Sequence, residues 1–340
     1  MVLTQSLPSA ATEYGAAQRQ EIAAALFEVN RLWSSGMTDD FDGSFRAIDR
    51  ELIAVLDLAQ RRVVAGAVEY VPEVLAETNP AALRAAPDYR LWAESLVGTT
   101  GSGLATDSLV YEPVIHAKVA VAQGQSTAAA LESARRWLGT AAGTLLSDTG
   151  RTAERVTASG RGVATFVRML QPPSCGRCVI LAGRRTRRET AFQRHPGCDC
   201  RNIPSAESVA DDLTVNPREY LDSLDDKALR KALGSQSNAR AYRDGADPAQ
   251  LVNAYRKSGG VRPAQVYGRN VKYTTEGTTR RGLANWRMRQ AEYIRSGGES
   301  KNGGRYRALR APRLMPESIY QIAESAQDTQ RLLRLYGWVL

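Results

Sequence analysis

Apolar residues recur every three or four positions through much of the first half of the chain, which is the period of amphipathic helices. Pro72 interrupts the second of these patterns and should end or kink that helix, and Asn79 with Pro80 marks a further break. Short connections between such helices favour antiparallel packing. We therefore predict a helical bundle over residues 1–158. The predicted helices are residues 17–33, 43–70, 107–123 and 126–148.

The pattern changes near Gly160, where β-forming residues replace the helical period. Residues 162–170 predict a strand, residues 176–183 one helical turn and residues 201–203 a return strand. The sequence therefore predicts a small α+β module over residues 159–205.

Short helical patterns follow over residues 206–257. Residues 258–315 are rich in arginine and glycine and show little periodicity except around residues 285–295, and residues 296–305 have the composition of a flexible linker. This region is predicted to be extended and irregular. Residues 316–340 predict a C-terminal helical hairpin. The predicted fold class is mainly α with one small α+β module.

The composition is that of an ordinary globular protein, since 43% of the 340 residues are hydrophobic and 24% are charged. No run of about 18 apolar residues predicts a membrane-spanning helix. The first thirty residues contain three glutamates and lack the basic and then apolar order of a signal peptide. We expect a soluble chain that is made in a cytosol and has no membrane partner.

Charge is divided unequally between the two halves of the chain. Residues 1–150 contain 11 Lys and Arg against 18 Asp and Glu, whereas residues 151–340 contain 34 against 18, which gives net charges of −7 and +16. Such asymmetry indicates a polyanionic partner for the second half. Most of the basic residues are arginines, whose planar fork suits phosphate. Codon bias explains a preference for arginine over lysine equally well, but it does not explain the division of charge.

All four cysteines lie within one window of 26 residues, together with a histidine, in the order Cys175-x2-Cys178-x16-His195-x2-Cys198-x-Cys200. Clustered Cys and His pairs are typical of a structural zinc site, which takes four ligands in a tetrahedral shell. Five candidates compete for four positions, so either Cys198 or Cys200 lies outside the shell or His195 bonds to the backbone instead. Disulfides and reduced packing thiols remain open as alternatives to zinc.

Residues 161–204 resemble the Mu F-like module of phage head proteins, in which a strand leads into a Cys-x2-Cys turn and then a His-Pro-x-Cys-x-Cys element. The segment Phe41-Asp42-Gly43-Ser44-Phe45 and parts of residues 220–254 also resemble minor head proteins of tailed phages that infect actinobacteria. Both halves of the module match in order, and the resemblance covers about two thirds of the chain. The residues that carry the module are Val167, Cys175, Cys178, Ala182, Phe192, His195, Pro196, Cys198, Cys200 and Pro204.

The resemblance implies a minor capsid protein that acts in head morphogenesis. It implies a position inside the phage head near the portal, with the host cytoplasm as the place of assembly. The implied partners are the portal and the major capsid or scaffold proteins. The positive charge of residues 151–340 adds packaged double-stranded DNA, bound without sequence preference, as a further expected partner. We therefore expect a structural component and not an enzyme. A protein that is injected with the genome and acts on the host is an alternative.

Two groups of arginines are candidates for nucleic-acid contact. One lies between the two halves of the Cys/His cluster, and the other is interleaved with Trp286 and Tyr293. Arginines beside aromatic residues are typical of backbone contact combined with base stacking. Solvated loop charge is the alternative for either run, and an acidic scaffold or portal surface would suit the same charge. The candidates are Arg184, Arg185, Arg187, Arg188, Arg280, Arg281, Arg287 and Arg289.

His116 is the only histidine outside the cluster. Maturation proteases of phage heads are sometimes fused to Mu F-like chains, so His116 is a candidate general base with Ser108 or Ser102 as the nucleophile. That class of protease needs a β-rich fold, whereas this region is predicted to be helical. A structural histidine is therefore the favoured interpretation, and a capsid maturation protease is the alternative function.

Overall fold

The computed structural model describes residues 8–170, 174–188, 200–205, 216–255, 260–266, 268–279, 281–290 and 312–339. The chain forms two compact units. The first contains Met1–Gln171 with Gly183–Val215, and the second contains Pro172–Ala182 with Asn216–Leu340. The described residues are mainly helical with small antiparallel sheets, which confirms the predicted fold class. His195, Cys198, Arg280, Tyr293 and the predicted linker at residues 296–305 lie outside the described residues.

Four long helices make up most of the first unit. Asp40 caps the second of them by accepting a hydrogen bond from the Gly43 amide, and Ser126 caps the fourth by accepting one from Ala129. Their apolar faces meet in a core where Leu52 and its neighbours are inaccessible to solvent. These helices confirm the predicted pattern, although the first, second and fourth are longer than predicted. They are α1 (Ser9–Gly36), α2 (Phe41–Thr78), α3 (Thr106–Ala122) and α4 (Thr127–Ser159).

Pro72 does not end α2, which continues to Thr78. A proline in a helix interior costs about 3 kcal/mol, because one backbone hydrogen bond is lost and the ring crowds the preceding turn. Beyond Pro72, Val74 and Leu75 are fully buried, and each such side chain stabilises the fold by about 1.5–3 kcal/mol. Packing therefore outweighs the local penalty. The predicted break at Asn79 and Pro80 is confirmed, since a short 3-10 turn begins at Pro80.

The first unit also contains a three-stranded antiparallel sheet. Its strands are β1 (Thr165–Met169), β2 (Arg185–Arg187) and β3 (Arg201–Pro204), and β1 lies in the centre. Phe166 of β1 pairs with Thr186 on one side and with Pro204 on the other. The central strand and the return strand were predicted from the sequence. No strand was predicted between the two halves of the Cys/His cluster, where Arg185–Arg187 form the edge strand β2.

The second unit begins with five short helices whose positions follow the predicted pattern. Gly176, in the first of these helices, packs closely against Ala232. An added Cβ at Gly176 would lie 2.5 Å from the Ala232 carbonyl oxygen. Asp247 caps the fifth by accepting hydrogen bonds from Ala249 and Gln250. The helices are α5 (Gly176–Val179), α6 (Pro217–Asp222), α7 (Asp226–Leu233), α8 (Gln236–Arg243) and α9 (Pro248–Asn253).

The region that was predicted to be irregular contains a second antiparallel sheet. Its strands are β4 (Arg262–Val266), β5 (Arg269–Thr274) and β6 (Arg313–Leu314), in that order. The strand signal is weak because β5 carries mostly polar side chains. Three further helices follow among the described residues of this unit, and the last two confirm the predicted C-terminal hairpin. They are α10 (Leu283–Gln290), α11 (Pro316–Ile322) and α12 (Ala326–Leu335).

Arg313 holds the end of the chain against this sheet. Its side chain is fully buried and donates hydrogen bonds to the carbonyl oxygens of Tyr336 at 2.8 Å and Gly337 at 2.9 Å. The guanidinium also donates to the Glu276 carbonyl and to the Gln250 amide oxygen. Its central carbon lies 3.6 Å from the centroid of the Trp338 ring. Burial lowers the pKa of Arg313 to about 9. Because this value is still above neutral pH, the side chain keeps its charge there.

Candidate functional site

The arginine run predicted to contact nucleic acid lies along the outer strand β2. Thr186 is half-buried and pairs with Phe166, whereas Arg185 and Arg187 are exposed. Successive residues of a strand point to opposite faces, so Arg185 and Arg187, two residues apart, share one face, with their Cα atoms about 6.6 Å apart. Arg184 and Arg188, which flank the strand, are also exposed. Four guanidinium groups therefore project from a short stretch of sheet edge.

Arg155 on α4 holds the end of this stretch. Its guanidinium donates a hydrogen bond to the Arg188 carbonyl oxygen and lies 5.9 Å from the centroid of the Phe166 ring. The Arg188 amide in turn donates to the Ala164 carbonyl oxygen at 2.9 Å. The run is thereby fixed to both the sheet and the helix, and Arg155 adds a fifth positive charge to it. We call Arg155, Arg184, Arg185, Arg187 and Arg188 the β2 edge.

The opposite strand, β3, is held in the first unit by buried polar groups. Arg201 donates a hydrogen bond to the Glu154 carboxylate at 3.1 Å, also donates to Gln18, and stacks 4.6 Å from the Tyr14 ring centroid. Arg151 donates to the Cys200 carbonyl oxygen at 3.0 Å. Burial raises the pKa of Glu154 above its ordinary value, although Arg201 lowers it. This cluster positions the sheet, and nothing in the sequence pattern pointed to it.

The cysteines of the predicted zinc site are placed only in part. In the second unit, Cys175 precedes α5 and is half-buried, and Cys178 lies within α5 and is buried. Cys200 is buried in the first unit. Positions three apart on a helical turn are neighbours, which suits two sulfurs that share one ion. Within the described ranges, which omit residues 189–199, no three His, Cys, Asp or Glu side chains form a group that could hold a metal. The five-residue cluster stays a prediction.

The second group of arginines lies on and before α10. Arg281 and Arg289 are exposed and Arg287 is half-buried, with its guanidinium 5.0 Å from the centroid of the Trp286 ring. The Trp286 side chain is itself 51% exposed. The predicted combination of arginine with an aromatic residue is therefore present on one short helix.

The protease alternative depends on a contact between His116 and a serine. His116 and Ser108 both lie on α3, eight residues apart, which is about 12 Å along the helix axis. A general base must approach its nucleophile to about 3 Å. The His116 ring instead lies 5.2 Å from the Trp137 ring, between centroids, and the Ser102 hydroxyl shares a hydrogen bond with Thr100. The structure therefore places the exposed His116 beside an aromatic ring and Ser102 beside a turn threonine.

A cavity of about 440 Å³ lies between α3, α4 and residues 100–102. Trp137, Leu109 and Leu145 form much of its wall, and the hydroxyl groups of Thr140 and Thr144 donate to carbonyl oxygens of their own helix. Its polar groups are therefore largely occupied within the fold.

Comparison with protein-family models, with curated proteins and with solved structures finds no match to this chain. Among the helices of the described segments, none is both long and apolar enough to cross a membrane.

Proposed function

We propose that this chain is a minor head protein of a tailed phage that assists head assembly and contacts packaged DNA. The observation that carries the DNA contact is the β2 edge, where arginines selected from the sequence lie together on an exposed strand. The order and spacing of the Cys/His residues support the link to head proteins. The negative charge of residues 1–150 and the positive charge of residues 151–340 agree with separate protein and DNA partners.

Contact through the β2 edge is expected to be independent of DNA sequence. Its exposed groups are guanidinium forks that match phosphate oxygens, and phosphate contacts fix position without reading bases. Such binding releases counterions, so its affinity falls steeply as salt rises. A protein packed beside condensed genomic DNA requires no sequence preference.

The test replaces Arg184, Arg185, Arg187 and Arg188 together by glutamine in the full chain. Separate fragments are unsuitable, because a cut at residue 150 falls inside α4. We expect weaker binding to a mixed-sequence DNA duplex, and the slope of log affinity against log salt should fall by roughly three to four if all four contact phosphate. Fluorescence anisotropy at several salt concentrations measures both quantities.

The matched control replaces four exposed arginines elsewhere in the first unit by glutamine. The control removes the same positive charge from the whole chain. It therefore separates the effect of losing a local site from the effect of a lower net charge. We expect the control to bind the duplex nearly as tightly as the parent. An equal loss in both variants would contradict the assignment of the β2 edge. The control positions are Arg19, Arg46, Arg50 and Arg84.

We further propose that the Cys/His cluster holds one structural zinc ion, for which the thiols of Cys175 and Cys178 on one helical turn provide a suitable pair. The protein purified without chelator should contain one zinc per chain, and the thiols should react with a thiol reagent only after chelation. Elemental analysis and a thiol titration on the same sample measure this. The titration of a metal-free protein is repeated in denaturant, because Cys178 and Cys200 are buried in the folded chain. Thiols that stay unreactive there would indicate disulfides, and four thiols that react only there would indicate packing cysteines.

A further inference from the structure

Helix α10 presents an aromatic ring at the centre of its outward face. Ala284, Asn285 and Met288 are buried and define the inward face of the helix. With 100° between successive residues, Trp286 lies opposite that face. A large apolar side chain that is 51% exposed on an otherwise polar surface is a candidate contact for a partner.

The backbone around this ring is fixed from two sides. The Asn285 side chain donates a hydrogen bond to the Thr278 carbonyl oxygen at 2.9 Å. Gly337 packs so closely on α10 that an added Cβ would come within 2.9 Å of the Ala284 Cα atom. These two contacts hold the helix in place and do not involve the Trp286 side chain.

Positive charge surrounds the ring. Arg289 lies one turn from Trp286 on the surface of the helix and Arg281 precedes the helix, and both are exposed. The Arg287 guanidinium lies 5.0 Å from the ring centroid, and α10 carries no acidic residue. An exposed ring with arginines beside it combines a stacking surface with groups that bind phosphate.

We propose that α10 binds single-stranded nucleic acid, with an unpaired base stacked on Trp286 and the flanking phosphates held by Arg281 and Arg289. A duplex keeps its bases stacked inside, so it offers no base face to this ring. The inference deepens the proposed function, because it rests on nucleic acid as the partner and names the form that the second unit binds. It uses none of the residues of the β2 edge.

The test compares Trp286→Ala, Trp286→Phe and the control Trp92→Ala in the full chain. Trp92 is 74% exposed in the first unit, so its removal matches the loss of an exposed ring. The probe is a fluorescein-labelled oligothymidylate, and binding is measured by anisotropy beside a DNA duplex. We expect Trp286→Ala to weaken binding of the oligothymidylate roughly tenfold or more. Trp286→Phe should restore most of that affinity, and Trp92→Ala should leave it unchanged.

Oligothymidylate binding that is unaffected in Trp286→Ala, or equally reduced in Trp92→Ala, would overturn the inference. So would binding by the parent to anionic lipid vesicles and not to the oligothymidylate. Duplex binding should depend on the β2 edge and should be the same in all three tryptophan variants. A failure of the α10 inference therefore leaves duplex binding intact, whereas a failure of the proposed function removes it. If substitution of the β2 edge removes duplex binding and leaves oligothymidylate binding unchanged, that result would support two separate sites.

Discussion

Replacing Arg313 by methionine is expected to lower the free energy of unfolding of the second unit by about 3–5 kcal/mol. The guanidinium is fully buried and donates to the carbonyl oxygens of Tyr336, Gly337 and Glu276. Methionine fills much of the volume but leaves these acceptors without a donor, and each buried acceptor left unsatisfied costs about 1–3 kcal/mol. The stacking on Trp338 is also lost.

Urea unfolding followed by tryptophan fluorescence measures the loss. Arg313→Lys should fall between the parent and Arg313→Met, since an ammonium group keeps the charge but does not reach acceptors on opposite sides of a planar fork. Arg334→Met is the control, because Arg334 is exposed on α12. A loss below about 1 kcal/mol in Arg313→Met would show that water or a shift of the C-terminal segment satisfies the carbonyl groups.

Arg313 shows why a net charge does not locate a basic surface. Charge counting assigns every arginine of residues 151–340 to one basic surface. Yet Arg168, Arg201 and Arg313 are at most 3% exposed. Arg201 binds a carboxylate and Arg313 binds backbone carbonyl groups inside the fold. A net charge does not distinguish an arginine that faces solvent from one that joins two segments. Only long-range contacts, which a local pattern does not contain, make that distinction.

The helices of the first unit were predictable because their apolar faces repeat with a local period. The strand β2 was not, because it is stabilised by pairing with β1, about twenty residues earlier in the chain. Its sequence, Arg-Thr-Arg, carries no apolar alternation. The same reason explains the missed sheet of the second unit, where Arg313 of β6 pairs with Thr274 of β5 across about forty residues. The sequence did select four of the five arginines of the β2 edge, all except Arg155, but it did not show that a strand presents them.

The Glu154–Arg201 pair predicts the second large effect. Both side chains are buried, and their closest atoms, Nη1 and Oε1, lie 3.1 Å apart. Arg201→Met should lower the free energy of unfolding of the first unit by about 3–5 kcal/mol, because it leaves the Glu154 carboxylate buried without its cation. A hydrogen bond from Tyr14 and the nearby Arg151 also lower the pKa of Glu154, so they limit this loss.

Glu154→Gln should cost less than Arg201→Met. Burial raises the pKa of Glu154, so the charged form is already disfavoured inside the protein, and an uncharged amide avoids that desolvation. The amide oxygen can still accept from Arg201, which also keeps its hydrogen bond to Gln18 and its stacking on Tyr14. Arg19→Met, an exposed substitution one residue from Gln18, is the control for the loss of an arginine on this side of the fold.

The double variant Glu154→Gln, Arg201→Met decides whether pairing or burial dominates. If pairing dominates, the double variant should be more stable than the sum of the single losses predicts, by about 1–3 kcal/mol, because neither charge is then left alone. Additive losses would mean that each side chain contributes through its other contacts, Arg201 through Tyr14 and Gln18.

If pairing dominates, we also expect Arg201→Met to loosen β3 and with it the sheet that presents the β2 edge. Duplex binding should then weaken in Arg201→Met although no exposed arginine has been removed, and the double variant should recover part of it.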